Sequence, residues 1–423
     1  MSTKTKKPNI ILVVNHDTGQ HFGCYGDKSV RTPNFDRVAE EGVLFRNNFC
    51  TSSLCTPARG SIITGRYPSS NGLMGLTNRG WDMPESEKSL PHYLKEAGYS
   101  TFLFGFQHER RDPKKSGYEK IVTSEKGYFC REVTDLLIDF LKESKGDRPF
   151  LAAAGVSETH LPFHLPMGRY KADDPDKVWL PQYVPDNPDT RMEMAQFHGL
   201  VHEVDDNLGR LMDALKETGL DKNTIYIHTV DHGIAFPRAK STLYDPGIKT
   251  AFIMRWAEGI PSGKAYEELV SSVDLVPTLL ALLGIQIPDR IQGKSLLPLL
   301  KNEKYEPHEA IFAQKDWHDH YDPKRCIRTK KFKYIRNFEK GPLLVLPADI
   351  ARSVTARSIP EKYNIPRPYE ELYDLENDPD EMNNAADVSA YADIKEGLRK
   401  RLDSWMNETG DYLRNFVDVK NYW

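Results

Sequence analysis

The sequence predicts an α/β protein with a large, mostly parallel central sheet, followed by a smaller α+β subdomain. Apolar runs of strand length recur before Leu300, and stretches with helical periodicity separate them. That alternation is typical of a parallel sheet covered by helices. After about Leu300 the strands no longer alternate with helices, so we set the domains at residues 1–305 and 306–423.

The large domain begins with a strand over Asn9 to Asn15, whose continuous apolar run between polar residues indicates burial on both faces. Thr32-Pro33-Asn34 opens a helix that runs to about Glu41, with Asn34 as its N-cap. Gly65 ends a helix that starts near Ala58. By the same criteria we predict further strands at 43–49, 100–104, 150–156, 224–230 and 250–256, and further helices at 89–96, 132–145, 192–218 and 274–283.

The subdomain is predicted to contain a small antiparallel sheet and a closing helix. Its strands lie at residues 310–314 and 331–337, and the helix at residues 392–407. A chain of 423 residues fits this division into one large and one smaller domain.

Composition excludes some classes of function. A net charge of −4 without a long basic run gives no field for holding nucleic acid. No apolar stretch reaches the length of a membrane span or signal-peptide core, so we expect a cytoplasmic protein with no membrane partner. Five scattered cysteines without a C-x-x-C pair indicate reduced thiols, at least one of which is available for chemistry.

Two predicted strands end in residues that commonly bind metals. Asn15-His16-Asp17 follows the first strand, and Asp231-His232-Gly233 follows the strand at 224–230. Either cluster alone is compatible with ordinary loop chemistry. Because sites in α/β sheets collect beyond the carboxyl ends of strands, two such clusters predict a shared site for a divalent cation.

A third segment runs from Ser53 to Gly60 and places Cys55 just before a helix. A helix N-terminus stabilises negative charge, so this cysteine is a candidate for an activated thiolate. The alternative is a buried structural thiol, which is the commonest fate of a free cysteine.

The motifs around Cys55 resemble those of the sulfatase family. Cys55-Thr56-Pro57-Ala58-Arg59 matches its C-x-P-x-R signature, and Gly65-Arg66-Tyr67-Pro68 matches the segment that follows. The similarity runs nearly end to end through these further segments: Pro8 to Gly26, Thr32-Pro33-Asn34, Gln107-His108, Asp231-His232-Gly233, and Glu371 to Leu375 with Asn377-Asp378-Pro379. Gly233 to Gly247 and, less closely, His318 to Pro323 are most similar to the heparan N-sulfatase (N-sulfoglucosamine sulfohydrolase) branch.

This resemblance implies an alkaline-phosphatase-like α/β/α sandwich and a specific set of site residues. A formylglycine-generating enzyme would oxidise Cys55 to formylglycine during maturation. The cation, calcium first of all, would be held by Asp17, Asp231 and His232 together with residue 55, and His16 is a further candidate ligand. The other implied roles are Arg59 and His108 on the formylglycine hydrate, His160 as acid for the leaving group, Lys240 on the sulfate, and His318 and His320 on sugar hydroxyls.

The implied reaction follows from these charges. One hydroxyl of the hydrate attacks sulfur while the metal and cationic side chains stabilise the oxygens. A general acid protonates the leaving alcohol or amine. The second hydroxyl then loses its proton and expels sulfate.

Two positions depart from the family pattern. His16-Asp17 replaces two adjacent aspartates, and two imidazoles at the site would favour manganese, iron or zinc over calcium unless His16 lies behind the ligands. Phe106 stands where the family has a sulfate-binding lysine, so Lys240, Arg110 or Arg111 would have to supply that charge.

Three functions remain open at this point. The first is a sulfatase acting on a sulfated sugar such as N-sulfoglucosamine or a heparan fragment. The second is a phosphonate monoester or phosphodiester hydrolase of the same superfamily. The third is a noncatalytic protein that binds sulfated glycans, against which the presence of Cys55, Arg59, Asp17, Asp231 and His232 argues.

Overall fold

An eight-stranded sheet forms the centre of the protein. The computed structural model describes residues 7–144, 146–163 and 170–415, and the side chain of residue 362 lies outside that description. The strands of this sheet are β1 (Asn9–Asn15), β2 (Val43–Phe49), β3 (Ser100–Gly105), β4 (Lys120–Val122), β5 (Phe150–Gly155), β6 (Thr224–Val230), β7 (Phe252–Arg255) and β8 (Lys264–Ser271). Their order is β4-β3-β5-β1-β6-β7-β2-β8, and all but β7 run in the same direction. The prediction of a large, mostly parallel sheet is confirmed.

Helices cover both faces of this sheet. Along β1, Ile11 and Val13 face one apolar core, and Ile10, Leu12 and Val14 face the other. The helices are α1 (Pro33–Glu40), α2 (Cys55–Thr64), α3 (Pro68–Asn71), α4 (Leu90–Glu96), α5 (Cys130–Glu143), α6 (Pro188–Glu217), α7 (Asp245–Ile248), α8 (Leu275–Leu282) and α9 (Leu297–Leu300). The two cores therefore make the domain an α/β/α sandwich.

A second, antiparallel sheet follows in the chain. It has the order β12-β11-β10-β9, from β9 (Ile311–Trp317), β10 (Tyr321–Arg328), β11 (Phe332–Asn337) and β12 (Glu370–Asp374). The remaining helices are α10 (Ala348–Ala351) and α11 (Ala392–Glu408). Leu402 and Trp405 of α11 pack with Ile327 and Tyr334 of the sheet. A small antiparallel sheet with a closing helix is confirmed, while the boundary at residue 305 stays a prediction.

Several predicted element bounds were wrong for identifiable reasons. The N-cap of α1 is Thr32, because Pro33 is suited to the first helical position, and the Asn34 amide instead donates to Asp205. Helix α6 begins four residues before the predicted start, where the Asn187 side chain accepts a hydrogen bond from Thr190 N–H. The predicted helix at 132–145 begins at Cys130 and ends at Glu143, and residue 145 lies outside the described residues.

The sequence patterns missed strands β4, β8 and β10, and β12 was indicated only by the family resemblance of Glu371 to Leu375. Strand β8 lies at the edge of the large sheet and exposes much of its first half, so it lacks the apolar run of a buried strand. Strand β10 contains Asp322-Pro323-Lys324-Arg325, which is typical of a loop. Its charges are buried in ion pairs within the folded protein, which no local pattern reveals.

None of the helices in the described ranges is long and apolar enough to cross a membrane. The parallel arrangement also brings strand ends together at one edge of the sheet. Asn15 of β1 pairs in register with Val230 of β6, and Val14 pairs with Gly155 of β5. The loops that follow these strands therefore start side by side.

Candidate active site

The loops after β1 and β6 are tied to each other by hydrogen bonds. Asp231 N–H donates to the Asn15 carbonyl at 3.2 Å, and Asp17 N–H donates to Asp231 Oδ1 at 3.0 Å. Asp17 adopts a left-handed φ of 44°, which is uncommon for a residue with a side chain. A Cβ atom on Gly233 would lie 1.7 Å from the Pro246 carbonyl oxygen, so only glycine permits this close approach. These constraints turn the two acidic side chains toward one point.

Four potential metal ligands meet at that point. Ligand atoms of His16, Asp17, Cys55 and Asp231 all lie within 4.8 Å of one another, and all four residues are buried. His232 joins them, with Nε2 3.2 Å from Cys55 Sγ and 3.3 Å from Asp17 Oδ1. Nδ1 of His232 donates to the Gly233 carbonyl, which fixes the ring and directs Nε2 into the cluster.

The bonding of this cluster fits a divalent cation. Within the described part of the chain, neither His16 Nδ1 nor Asp17 Oδ1 makes a hydrogen bond, although His16 Nδ1 lies 3.0 Å from Asp231 Oδ2. Burial and the Arg59 charge act to lower the pKa of His16, but Asp231 and Asp17 outweigh them and raise it to about 10. Asp231 and Asp17 likewise outweigh burial and raise the pKa of His232 to about 9. Buried carboxylates that draw protons onto imidazoles are suited to exchange those protons for a metal ion.

Cys55 is the first residue of helix α2, three positions before the predicted start. Leu54 is extended and forms the N-cap, and its carbonyl accepts a hydrogen bond from Ala58 N–H. Pro57 is tolerated because the first turn of a helix needs no N–H donor at that position. Burial acts to raise the pKa of Cys55, but the charges of Lys240 and His232 outweigh it and hold the pKa well below its usual value.

Arg59 lies one helical turn after Cys55 and supports the loop after β6, which carries Asp231. Its Nε donates to Asp231 Oδ2 at 3.0 Å, and its Nη2 donates to the Val14 carbonyl at 3.3 Å. The side chain is 1% exposed, so this charge is strongly coupled to Asp231.

Phe106 forms an aromatic wall where the family pattern has a lysine. Its ring centroid lies 4.9 Å from that of His16, 5.0 Å from that of His108 and 5.4 Å from the Arg59 guanidinium carbon. Arg110 does not replace the missing charge, because its guanidinium donates to the carbonyls of residues 83, 84 and 87. Arg111 is exposed.

Lys240 supplies a cation next to the cluster. Its Nζ is fully buried and lies 2.7 Å from Asp17 Oδ2, 2.7 Å from Asp349 Oδ2 and 3.3 Å from His160 Nε2. The loop that carries it has left-handed φ angles at Arg238 and Ser241, which lie two residues before Lys240 and one after it.

His160 lies at the more exposed side of the same group, with 36% of its side chain exposed. Its Nδ1 donates to the Leu161 carbonyl, so Nε2 faces Lys240 as an acceptor. The charge of Lys240, together with burial, lowers the pKa of His160.

The other three predicted residues lie farther out. His108 contacts Phe106, and Phe106 in turn contacts His16 of the cluster. The buried Nδ1 of His108 has no hydrogen bond within the described residues. His318 Nδ1 lies 2.9 Å from Asp319 Oδ2, and burial followed by the Lys240 charge lowers the pKa of His318. His320 is exposed between β9 and β10, where its carbonyl accepts a hydrogen bond from His318 N–H. Among the contacts of the described residues, His320 has none with the cluster.

Asp349 belongs to this site and was not found from the sequence. It lies in the four-residue helix α10, more than a hundred residues after Lys240 along the chain, and no motif marks it. Asp319 falls in the segment His318 to Pro323 but has no predicted role, and it accepts hydrogen bonds from Arg79 and from the backbone N–H of Ala348.

Together these groups form a site for anion chemistry. Lys240, Arg59 and a cation at the carboxylates would attract an anionic group, residue 55 lies among them, and His160 offers a nitrogen that can carry a proton.

Comparisons with known proteins extend these observations. The chain matches the family model described as Sulfatase over residues 8–285. It also matches the model described as N-sulphoglucosamine sulphohydrolase, C-terminal, over residues 233–346. The second match spans Lys240 and the turn that carries His318 and Asp319.

Two curated relatives cover nearly the whole chain. An ulvan-active sulfatase of Formosa agariphila is 30% identical over 99% of this chain and 84% of its own length. The human N-sulphoglucosamine sulphohydrolase is 28% identical over 96% of this chain and 91% of its own length.

A solved structure shows the same fold. It is a protein in complex with its substrate D-glucosamine-2-N,6-O-disulfate, with a TM-score of 0.74 and 21% identity. The alignment covers 96% of this chain and 99% of the other.

Proposed function

The chain belongs to the sulfatase family and is a sulfuric ester hydrolase, and from this premise we propose that it removes sulfate from a sulfated sugar. The proposed substrates are N-sulfoglucosamine and short heparan fragments. The observation that carries the proposal is the convergence of His16, Asp17, Cys55 and Asp231 beside Lys240.

The relatives support this substrate class in two ways. Both curated relatives act on sulfated saccharides by name, one on ulvan and one on N-sulphoglucosamine. The match to the N-sulphoglucosamine sulphohydrolase C-terminal model includes the loop around Lys240, whose Nζ contacts Asp17, one of the proposed metal ligands. Loops in such places contact substrates, so likeness there bears on specificity.

The proposed cofactors are one divalent metal ion and a formylglycine made from Cys55 by a formylglycine-generating enzyme. Asp17 and Asp231 would hold the ion together with His16, His232 and residue 55. When bound, these groups supply a Lewis acid and an aldehyde hydrate as nucleophile. Calcium is the ion expected from the family, while the imidazoles favour manganese, iron or zinc.

The side chains of the protein prepare the reaction in defined ways. Arg59 holds Asp231 in place through its Nε hydrogen bond and keeps a positive charge beside the ligands. Lys240 directs its ammonium group toward the same region from the other side. The buried setting strengthens both interactions, because water does not screen them.

A proton is held where the leaving group would depart. His160 Nε2 accepts a hydrogen bond from Lys240 Nζ at an N–N distance of 3.3 Å, and this imidazole is partly open to solvent. The pair can deliver a proton through Nε2 to a leaving alcohol or amine. His108, behind Phe106, would contact the nucleophile side of the site.

A parallel assay tests this proposal. Holoenzyme with a formylglycine content measured by peptide mass spectrometry is given N-sulfoglucosamine, an aryl sulfate and a phosphonate monoester at equal concentrations. We expect the highest kcat/KM on N-sulfoglucosamine. A clear preference for the phosphonate ester would favour the phosphonate hydrolase instead, and binding of sulfated glycans without turnover by fully modified holoenzyme would favour a binding protein.

A further inference from the structure

Lys240 is shared among three acceptors, two of which are carboxylates. An ammonium group has three N–H donors, and these face Asp17 Oδ2 and Asp349 Oδ2 at 2.7 Å and His160 Nε2 at 3.3 Å. An anion that binds at Lys240 therefore meets a lysine whose charge two carboxylates already oppose.

Asp349 differs from Asp17 in what else it contacts. Asp17 also belongs to the metal cluster, so a bound cation would offset its charge. Asp349 lies outside that cluster of four, and its other oxygen accepts only the adjacent backbone N–H of Ile350 among the described hydrogen bonds. Its side chain is 17% exposed and its Oδ2 lies 3.7 Å from His160 Nε2, on the side of the site that is open to solvent. Its negative charge therefore faces an incoming ligand.

The position of this charge is fixed by the turn between β9 and β10. Asp319 Oδ2 accepts the Ala348 N–H at 2.7 Å and lies 2.9 Å from His318 Nδ1. Asp319 Oδ1 accepts from Arg79 at 2.7 Å. Because Ala348 directly precedes Asp349, these bonds hold the backbone at the start of helix α10, and the carboxylate itself is held by Lys240 Nζ and Ile350 N–H.

A second metal ion does not explain the arrangement. Ligand atoms of Asp17, His160 and Asp349 do lie within 4.8 Å of one another. The Lys240 ammonium group, however, is bonded to both carboxylates and so takes the place that a cation would have.

We propose that Asp349 is a specificity-determining residue that makes the site select singly charged over doubly charged anions. A sulfate monoester or a sulfamate carries one negative charge, whereas inorganic sulfate carries two, as does a phosphate monoester above its second pKa. Repulsion by a fixed carboxylate grows with ligand charge, so the dianion is weakened more. The proposal rests on the proposed function and adds two consequences to it: phosphate monoesters are disfavoured, and the product sulfate is released readily.

Binding measurements on holoenzyme test the proposal without requiring turnover. Calorimetry at pH 8 with inorganic sulfate and with methyl sulfate gives the ratio of dianion to monoanion affinity. Asp349→Asn should improve that ratio by about tenfold, the effect of removing one unit charge a few ångströms from the ligand in a partly screened site. An equal change in both affinities, or no change in either, contradicts the proposal, and so does sulfate that binds to neither protein.

Matched variants separate charge from structure. Asp387→Asn removes the same charge from an exposed position in the C-terminal region and should leave the ratio unchanged. Asp349→Glu keeps the charge and should retain most of the selectivity. If the asparagine variant proves unstable in thermal unfolding, Asp349→Ser removes the charge with a smaller side chain and must give the same ratio.

Turnover distinguishes this inference from the proposed function. In Asp349→Asn, kcat/KM for a phosphate monoester should rise relative to that for a sulfate monoester. A changed affinity ratio in a protein that hydrolyses no sulfated sugar would support the role of Asp349 and reject the proposed reaction. Hydrolysis of N-sulfoglucosamine by wild-type protein, with an affinity ratio that Asp349→Asn leaves unchanged, would support the proposed reaction and reject the role of Asp349.

Discussion

The protein buries two clusters of charged side chains, and they are built in opposite ways. In the small sheet, Arg325 lies between Asp316 and Asp411, and all three side chains are almost completely buried. Every nitrogen of Arg325 donates a hydrogen bond, and both oxygens of each carboxylate accept one. In the loop that follows the central strand β1, by contrast, Asp17 Oδ1 and His16 Nδ1 are buried without a hydrogen bond among the described residues.

This difference shows that burial of charge does not identify a functional site by itself. Buried charges are stabilised when their partners are complete, and such a cluster ties elements of structure together. A cluster that leaves ligand atoms unpaired retains bonding capacity for something else. Two buried cysteines show a similar contrast, since burial raises the pKa of Cys326 to about 12 in an apolar core, while the charges of Lys240 and His232 hold that of Cys55 low.

Replacing the two cysteines should give the largest contrast. Cys55→Ala removes the proposed nucleophile, so we expect kcat/KM for N-sulfoglucosamine to fall by about four orders of magnitude or more with little change in thermal unfolding. Cys326→Ala should keep turnover but lower the free energy of unfolding by about 1 kcal/mol, because it leaves a small cavity in the core. Full activity in Cys55→Ala would exclude the assigned nucleophile.

Replacing one carboxylate in each cluster should separate metal binding from stability. Asp231→Asn should weaken metal binding by at least about 10- to 100-fold, the loss seen even for groups that only support a ligand. Wild-type protein should therefore gain thermal stability when metal is added, and Asp231→Asn should not.

The control for that experiment is Asp316→Asn. It should lower the free energy of unfolding by about 1.5–3 kcal/mol, because Arg325 loses a charged acceptor. It should retain the stabilisation by metal. Equal metal-induced stabilisation in Asp231→Asn and wild type would show that the ion binds elsewhere.

Glu158, whose carbonyl accepts a hydrogen bond from His16 N–H beside the candidate active site, should make the free energy of unfolding depend on pH. Burial, together with the charge of Glu203, raises the pKa of Glu158 from its ordinary 4.5 to about 8. Between these values the folded state holds a proton that the unfolded state has lost, so this residue's contribution to stability falls as pH rises from about 4.5 to 8.

Glu158→Gln removes that titration and tests the sign. The stability of the variant relative to wild type should increase across this pH window, by at most about 1.4 kcal/mol per pH unit in urea unfolding. The exposed Glu303→Gln should show no such trend. A difference that shrinks with rising pH would mean that Glu158 is ionised in the folded protein.

The smallest effect is expected at the exposed ion pair between Arg79 of the large domain and Asp319 of the C-terminal region. Arg79 is 57% exposed and pairs with Asp319, which holds the start of helix α10. Arg79→Gln should change the free energy of unfolding by less than about 1 kcal/mol, as exposed ion pairs usually do, and raise KM only a few-fold. The surface pair Arg37–Asp213 offers the control variant Arg37→Gln. A loss of kcat above tenfold would place Arg79 in direct contact with the substrate.

The sequence predicted the large sheet and most of the site because both leave local signals. Buried parallel strands appear as apolar runs, and Asp17, Cys55, Arg59 and Asp231 stand in short motifs at strand or helix ends. These residues do lie together in the structure, and Lys240 lies beside them. The cytoplasmic location stays a prediction.

Other features depend on which distant segments meet. Strand β10 was missed because Asp322 and Arg325 are paired only after Lys315, Arg367, Asp316 and Asp411 fold against them. The contact between the rings of Phe106 and His16 likewise joins two distant segments of the chain, which no local pattern reveals.

The sequence alone determined the family motifs and most of the alternating strands and helices of the large domain. Only the tertiary structure decided that Asp349 contacts Lys240, across 109 positions of the chain, and that His320 remains exposed. Motifs report residues whose chemistry is tied to local backbone geometry. The charge that an incoming anion meets is instead a sum over all groups within several ångströms, whatever their separation in sequence.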